Sequence, residues 1–284
     1  MKIILAGTPQ FAVRAFEEVI NHFEVVGVIT QPDRPKGRGQ KVVETPVKEL
    51  AKRYGIKIFQ PEKISEIYDE LKEIDFDIFL TCAYGQIIPE KILELPIKAA
   101  LNIHGSLLPK YRGAAPIHYS ILNGDDKTGI TLMHMVKKMD AGDMIFKAET
   151  PIEESYTTGL MFEILSMVAA DNIQDWLKKI EMDTFENIPQ DEKNVTFSPK
   201  ISKDECQIID KHTVYTAQRM IKAFNPFPGA YIIKGGKKFK ILNYSTNSEG
   251  IEYKLKDGSI FISELQAPGK KAMNYKEFLK GNEF

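Results

Sequence analysis

Phe76-Asp77-Ile78-Phe79-Leu80-Thr81-Cys82-Ala83 is the stretch that decides the fold. An apolar run of this kind fits a strand covered on both faces, as in parallel sheets, better than a strand with one wet face. Similar runs stand on either side of it. Lys2 to Ala6, Val25 to Thr30 and Ala99 to Ile103 read as strands, and so do Ile130 to Met135 and Met144 to Ala148. Amphipathic segments of helical period separate them. One covers Gln10 to His22. A second opens at Thr45-Pro46, an N-cap followed by Pro at the first helical position, and runs to Tyr54. A third spans Ala115 to Leu122 and closes at Asn123-Gly124, and a long one spans Thr157 to Ile180. Strands alternating with helices predict an α/β domain with a doubly wound, mainly parallel sheet. Ligands of such sheets gather at the carboxyl ends of the strands. Gly7 and the pair Asn102/His104 fall at such ends.

From Glu181 to Cys206 the pattern turns polar, with Pro189 and Pro199, and reads as a linker. A helix from Thr213 to Phe224 follows it. Short strands come next: Ala230 to Ile233, Phe239 to Tyr244, Ile251 to Leu255 and Ser259 to Leu265. Gly235-Gly236 and Asp257-Gly258 are hairpin-turn signals, and Phe278-Leu279 point to a final short helix. The expectation is a small antiparallel β-barrel. The predicted division is a catalytic domain at 1–183, a linker at 184–204 and the barrel at 205–284.

The bulk composition narrows the class. An apolar fraction of 43% with 27% charged residues places the chain among soluble globular proteins. Cys82 and Cys206 are far apart, which gives neither a disulfide framework nor metal-ligand spacing, so a cytoplasmic location and no metal are expected. No stretch approaches membrane-spanning length, and the apolar start at Met1 passes straight into a helix pattern. The net charge of −1 conceals an asymmetry: residues 200–284 hold 15 Lys/Arg against 9 Asp/Glu. A basic C-terminal part suits a nucleic-acid partner, and it equally describes a solvated lysine-rich surface.

The chemistry concentrates in Leu101-Asn102-Ile103-His104-Gly105-Ser106-Leu107-Leu108-Pro109-Lys110-Tyr111-Arg112-Gly113, with Met139-Asp140-Ala141-Gly142-Asp143 further on. Alternate residues of a strand share a face, so Asn102 and His104 point the same way. An amide can donate to a developing oxyanion, and an imidazole can move a proton near neutral pH. An Asp from elsewhere could orient the imidazole. Taken alone, the pair reads more readily as a turn former and a satisfied strand-end histidine. Ala6-Gly7-Thr8-Pro9 lacks the three-glycine dinucleotide fingerprint. Gln31 to Lys41 is a loop with Arg34, Lys36, Arg38 and Lys41 against one acid, suited to phosphate contacts or simply to solvent. The turn at Tyr84-Gly85 could shape a flat pocket through backbone groups, or merely connect a strand to a helix.

Together, Asn102-x-His104, the loop Ser106 to Gly113 and Asp140 resemble the active site of the folate-dependent formyltransferases, and the resemblance covers nearly the whole chain. It implies a Rossmann-like domain followed by an OB-like barrel. It implies Asn102, His104 and Asp140 as catalytic residues and Asp143 as structural. It places Tyr84, Gly85, Gln86, Ile87 and Ile88 at the pteridine pocket, with Ser106, Leu107, Leu108 and Pro109 also on the folate. Within the family, the loop 31–41 and the segments Ala223 to Tyr231 and Leu265 to Met273 look like those of members acting on initiator methionyl-tRNA. Arg34, Lys36, Arg38, Lys41, Lys270 and Lys271 are then the implied tRNA contacts, Arg38 matching an important arginine of the family. The chain departs from the family pattern at Ile209-Asp210-Lys211, where a Trp usually follows Ile-Asp.

The implied donor is 10-formyltetrahydrofolate and the implied acceptor is the α-amine of methionine on that tRNA. The enzyme is expected to be a monomer working without metal or membrane. Direct attack through a tetrahedral intermediate is expected, because no Ser or Cys stands beside His104 with an obvious base. Ser106 stays open as a nucleophile on sequence proximity. Two other readings fit part of the pattern. A formyltransferase for a sugar-nucleotide amine would keep Asn102, His104 and Asp140 without needing the cationic loop. A non-catalytic binding module would need none of the three.

Overall fold

The computed structural model describes residues 1–36, 41–281 and 284. The strands are β1 (Lys2–Gly7), β2 (Glu24–Ile29), β3 (Arg34–Lys36), β4 (Lys41–Val43), β5 (Ile58–Phe59), β6 (Ile78–Cys82), β7 (Ala99–His104), β8 (Arg112–Gly113), β9 (Lys127–His134), β10 (Met144–Pro151), β11 (Phe197–Ser198), β12 (Tyr231–Lys234), β13 (Lys237–Ser245), β14 (Ile251–Leu255), β15 (Gly258–Gln266) and β16 (Met273–Asn274). The α-helices are α1 (Gln10–His22), α2 (Pro46–Arg53), α3 (Tyr68–Lys72), α4 (Glu90–Leu93), α5 (Pro116–Asn123), α6 (Thr158–Glu181), α7 (Val214–Ala223) and α8 (Tyr275–Leu279). They form two compact units. One comprises Met1–Gly113, Gly129–Thr150 and Glu163–Phe197, and the other Ala114–Thr128, Pro151–Phe162 and Ser198–Phe284.

The first unit is built on a sheet of order β10-β9-β7-β6-β1-β2-β5. From β7 to β5 the strands are parallel, and β9 runs antiparallel to β7. Every residue of β6 is buried, which is why its sequence shows no polar alternation. Ile4, Phe59, Phe76, Phe79 and Ile92 join the core on one side, each contributing about 2 kcal/mol by burial. α1 buries Phe11, Ala12, Ala15, Phe16 and Val19 on a single face. At α2 the cap forms as its sequence requires, Thr45 Oγ1 accepting from the Lys48 N–H at 3.1 Å with Pro46 at the first turn.

The short elements β5, β8, β11, α3 and α4 were not expected, and two further differences have a physical reason. The loop 31–44 contains a hairpin, β3 pairing with β4 so that Arg34 faces Val43. Strands of three residues carry no readable period. β10 extends to Pro151 rather than Ala148. Its last residues are only partly covered, because β10 is the outer strand of the sheet, and their polar character masked the continuation.

The second unit holds the antiparallel sheet β12-β13-β15-β14, with β16 added to β15. Phe239 and Phe278 meet edge-to-face at 5.9 Å in its core. Gly235 and Gly236 turn the first hairpin with φ of +53° and +72°, as a two-residue turn of this hand requires. In the second hairpin Leu255 pairs with Gly258, so Lys256 and Asp257 form the turn rather than Asp257-Gly258. In that turn the Asp257 carboxylate accepts the Val214 N–H at the start of α7, at 2.8 Å. Cys82 and Cys206 are buried free thiols, and burial pushes both above the ordinary thiol range. Among the described residues no helix is long and apolar enough to cross a membrane.

Candidate active site

β7 brings Asn102 and His104 to the carboxyl end of the parallel sheet. β6 flanks it on one side, with Thr81 in register with Asn102, and β9 on the other, with Thr131 opposite His104. Thr81 Oγ1 donates to Asn102 Oδ1 at 2.8 Å. This orients the amide with Nδ2 turned away from Thr81. Sequence reading missed Thr81; its signal was a hydroxyl interrupting the apolar run of β6.

His104 is buried. Its Nε2 lies 2.9 Å from the Tyr111 carbonyl oxygen. A carbonyl only accepts, so Nε2 carries hydrogen and Nδ1 is the nitrogen that gains and loses a proton. Nδ1 stands 3.8 Å from Asp140 Oδ2. That is too long for a hydrogen bond and close enough for strong attraction when the ring is charged. The same Oδ2 accepts the Gly113 N–H at 2.8 Å. The structure therefore brings His104 and Asp140 together, with Asn102 on the same strand. Asp143 takes part through its backbone, its carbonyl accepting the His134 N–H at 2.9 Å.

Three non-glycine residues around this site have left-handed backbones: Ala83 (φ +49°), Tyr111 (+64°) and Asp140 (+51°). Each such conformation costs about 1–2 kcal/mol and persists where surrounding bonds enforce it. For Tyr111 those bonds come from Thr196. Thr196 Oγ1 accepts the Tyr111 N–H and its carbonyl accepts the Arg112 N–H, both at 2.9 Å. For Asp140 they come from Gln190, whose Nε2 donates to the carbonyls of Asp140 (2.8 Å) and Gly142 (2.7 Å). Gln190 Oε1 in turn accepts from Arg112 Nε at 2.9 Å, and Arg112 Nη2 bonds Glu192 at 2.9 Å. The Arg112 bond holds the Glu192 carboxyl below the usual carboxylate range. Gly142 is required where it stands, because a Cβ there would lie 2.0 Å from the His134 carbonyl oxygen. Gln190, Glu192 and Thr196 were read only as linker. The available signal was Arg112 itself, since a buried guanidinium must find acceptors.

The implied folate segments divide by side chain. Tyr84 and Ile88 are core residues, and burial pushes the Tyr84 hydroxyl up to about 12. The Tyr84 carbonyl accepts from Thr8 Oγ1 at 2.9 Å and from Gln31 Nε2 at 3.2 Å. Gly85 has φ +90°. Gln86 is tied to Ile64 and Glu62 through backbone groups, while Ile87 is 79% exposed. In the loop after β7, Ser106 is fully buried, its Oγ donating to the Lys110 carbonyl at 2.7 Å. Thr131 Oγ1 donates to the Ser106 carbonyl and accepts from the Leu108 N–H. Lys147 Nζ donates to the Leu108 carbonyl at 2.5 Å. Leu107 is half-buried and Pro109 lies between Leu108 and the Lys110 turn.

Of the implied tRNA contacts, Arg34 is exposed and pairs with Glu62 at 2.5 Å. Lys36 and Lys41 face each other in the β3–β4 register, and Arg38 lies outside the described residues. At the base of this hairpin Asp33 accepts from Lys48 and, at 2.8 Å, from Gln60, and these bonds lower its carboxyl below the usual range. Val42 and Val43 of the same hairpin are exposed. In the second unit, Lys270 and Lys271 are exposed on the turn after β15. Among the described residues no cluster of His, Cys, Asp and Glu could hold a metal ion.

Residues 1–169 match the formyl transferase family, and residues 200–283 match the formyl transferase C-terminal domain. The chain is 48% identical over 274 residues to the methionyl-tRNA formyltransferase of Mycoplasmopsis pulmonis, covering 95% of each. It is 43% identical over 301 residues to that of Mesoplasma florum, covering 99% of this chain and 96% of the relative. Among solved structures, the sugar 3N-formyl transferase WlaRD, in the presence of dTDP and 5-N-formyl-THF, superposes with a TM-score of 0.68 at 22% identity, over 95% of this chain and 99% of that one. HypX from Aquifex aeolicus in complex with tetrahydrofolic acid gives a TM-score of 0.69 at 18% identity, over 99% of this chain and 47% of that one. The likeness to these two is one of fold.

Proposed function

The chain belongs to the methionyl-tRNA formyltransferases, and on that premise we propose which of its atoms carry the reaction. The enzyme transfers the formyl group of 10-formyltetrahydrofolate to the α-amine of methionine on initiator methionyl-tRNA. In our reading the neutral amine attacks the formyl carbon directly. The carbonyl oxygen becomes an oxyanion, and Asn102 Nδ2 and a protonated His104 Nδ1 donate to it. A positioned donor of this kind is worth roughly 10²–10³ in rate. His104 Nδ1 then gives its proton to the departing folate nitrogen and takes one from the new ammonium, so charge and protons balance over the cycle.

One observation carries this assignment. Nε2 is committed to the Tyr111 carbonyl, and Nδ1 stands beside the Asp140 carboxylate without a hydrogen bond to it. Asp140 thus faces the Nδ1 side of the ring while leaving that nitrogen for the substrate. Direct attack is supported by Ser106, whose hydroxyl hydrogen is spent on the Lys110 carbonyl.

We place the folate against Tyr84 to Ile88 and Ser106 to Pro109. Arg34, Lys36, Arg38, Lys41, Lys270 and Lys271 meet tRNA phosphates, with 205–284 as the tRNA-binding domain. Phosphate contacts of this kind supply affinity rather than sequence reading. The enzyme acts as a cytoplasmic monomer in this reading.

The test follows formyl transfer from 10-formyltetrahydrofolate to charged initiator tRNA, with uncharged tRNA and an amino-sugar nucleotide as parallel acceptors. The wild type is expected to use charged tRNA alone. His104→Ala is expected to lose transfer by roughly 10³-fold or more while still binding the folate. Wild-type turnover in His104→Ala would overturn the mechanism.

A further inference from the structure

We propose that Gln190 is a positioning residue for Asp140, so that part of the polar stretch between the two family regions belongs to the catalytic apparatus. Residues 170–199 lie outside both matched regions, and nothing in their sequence announces a site. The proposal rests on the reading of Asp140 as a catalytic group.

The Gln190 amide uses both its ends. Its oxygen accepts from Arg112 Nε, and its nitrogen donates to the carbonyls of Asp140 and Gly142, on either side of Ala141. No other side chain of that length offers one acceptor and two donors: a carboxylate lacks the donors and an ammonium lacks the acceptor. The Asp140 backbone is left-handed where its carboxylate accepts from Gly113 and stands beside His104. Gln190 fastens the two carbonyls that define this turn. On its other side it fastens Arg112, which stands between Tyr111 and Gly113. Tyr111 fixes His104 Nε2, and Gly113 fixes Asp140 Oδ2. One amide therefore ties the two loops whose relative position sets the spacing between Nδ1 and Oδ2. A displacement of about 1 Å at such a spacing is enough to cost about 100-fold in rate.

Gln190→Glu separates the two ends, keeping the acceptor for Arg112 and setting a carboxylate oxygen against two carbonyls. In the full-length enzyme kcat is expected to fall about 100-fold, with KM for the folate and for charged tRNA within about twofold of wild type. Added to Asp140→Asn, the same change is expected to lower kcat by less than about threefold more, because it acts through Asp140. Gln190→Met removes all three bonds at equal length and gives the same readouts if Gln190→Glu does not fold, with a thermal melt on each variant. A folded Gln190 variant with wild-type kcat, beside a disabled Asp140→Asn, would overturn the proposal alone. So would losses that multiply in the double variant. Wild-type kcat in Asp140→Asn would instead overturn the reading of Asp140, and the proposal with it.

Discussion

Asn102 and Asp140 are fixed in opposite ways. Asn102 belongs to a strand enclosed by β6 and β9, and its partner Thr81 reaches it through the sheet register alone. Asp140 belongs to a loop, and its place depends on polar bonds from Gly113 and Gln190, which lie 27 and 50 residues away in the chain. The floor of the site is a by-product of a packed sheet. Its rim is assembled from hydrogen bonds between loops, several of them enforcing left-handed backbones. A floor of this kind tolerates the loss of one bond, since burial keeps the strand in place, whereas a rim loses its geometry with any one of its members.

The largest effect that can be set against this contrast is on the chemistry of the floor. Asn102→Ala removes a donor and is expected to lower kcat by roughly 10²–10³ in single-turnover assays, with about 1 kcal/mol lost in stability because the Thr81–Asn102 bond goes with it. Next comes the rim. Gly142→Ala drives a Cβ into the His134 carbonyl and is expected to cost about 10–100-fold in kcat and about 1–3 kcal/mol in stability, read from urea melts. Thr81→Val keeps the shape of the floor and deletes the hydroxyl that orients Asn102. The expected loss is about tenfold or less in kcat and about 1 kcal/mol in stability. A larger kinetic loss in Thr81→Val than in Gly142→Ala would break the comparison.

The smallest effect belongs to neither. In the second unit His118 Nε2 donates to the Phe227 carbonyl at 3.2 Å, and burial lowers the pKa of His118 below its ordinary value of 6.5. Well above 6.5 both folded and unfolded chains carry it neutral. As pH falls through 6.5 the unfolded chain takes up the proton first, so stability declines until the lower folded value is passed. His118→Gln is expected to flatten the drop in urea midpoint between about pH 7.5 and 5.5 and to leave the ranking of the site variants unchanged.

Much of the floor was legible from sequence. The apolar runs gave β6 and β7, strand alternation put Asn102 and His104 on one face, and Thr45 announced the cap that α2 uses. The rim was not. Gln190, Glu192 and Thr196 stand in a stretch with no apolar period, and hydrogen bonds between loops leave no period to read. Nor does sequence show that Tyr111 and Asp140 adopt backbones usually reserved for glycine. The hairpin of β3 and β4 escaped for want of length. The bond from Val214 to Asp257 escaped because the two lie 43 residues apart.

The distance along the chain between the rim and its fasteners also sets a timetable. Tyr111 waits for Thr196 across 85 residues, and Arg112 waits for Glu192 across 80. At about 5–20 residues per second of synthesis, roughly 4–16 s separate the emergence of the loop after His104 from that of the groups that fasten it. A nascent chain can thus complete its parallel sheet, with the backbones of Asn102 and His104 already in place, before the loop that bonds the His104 ring is fastened.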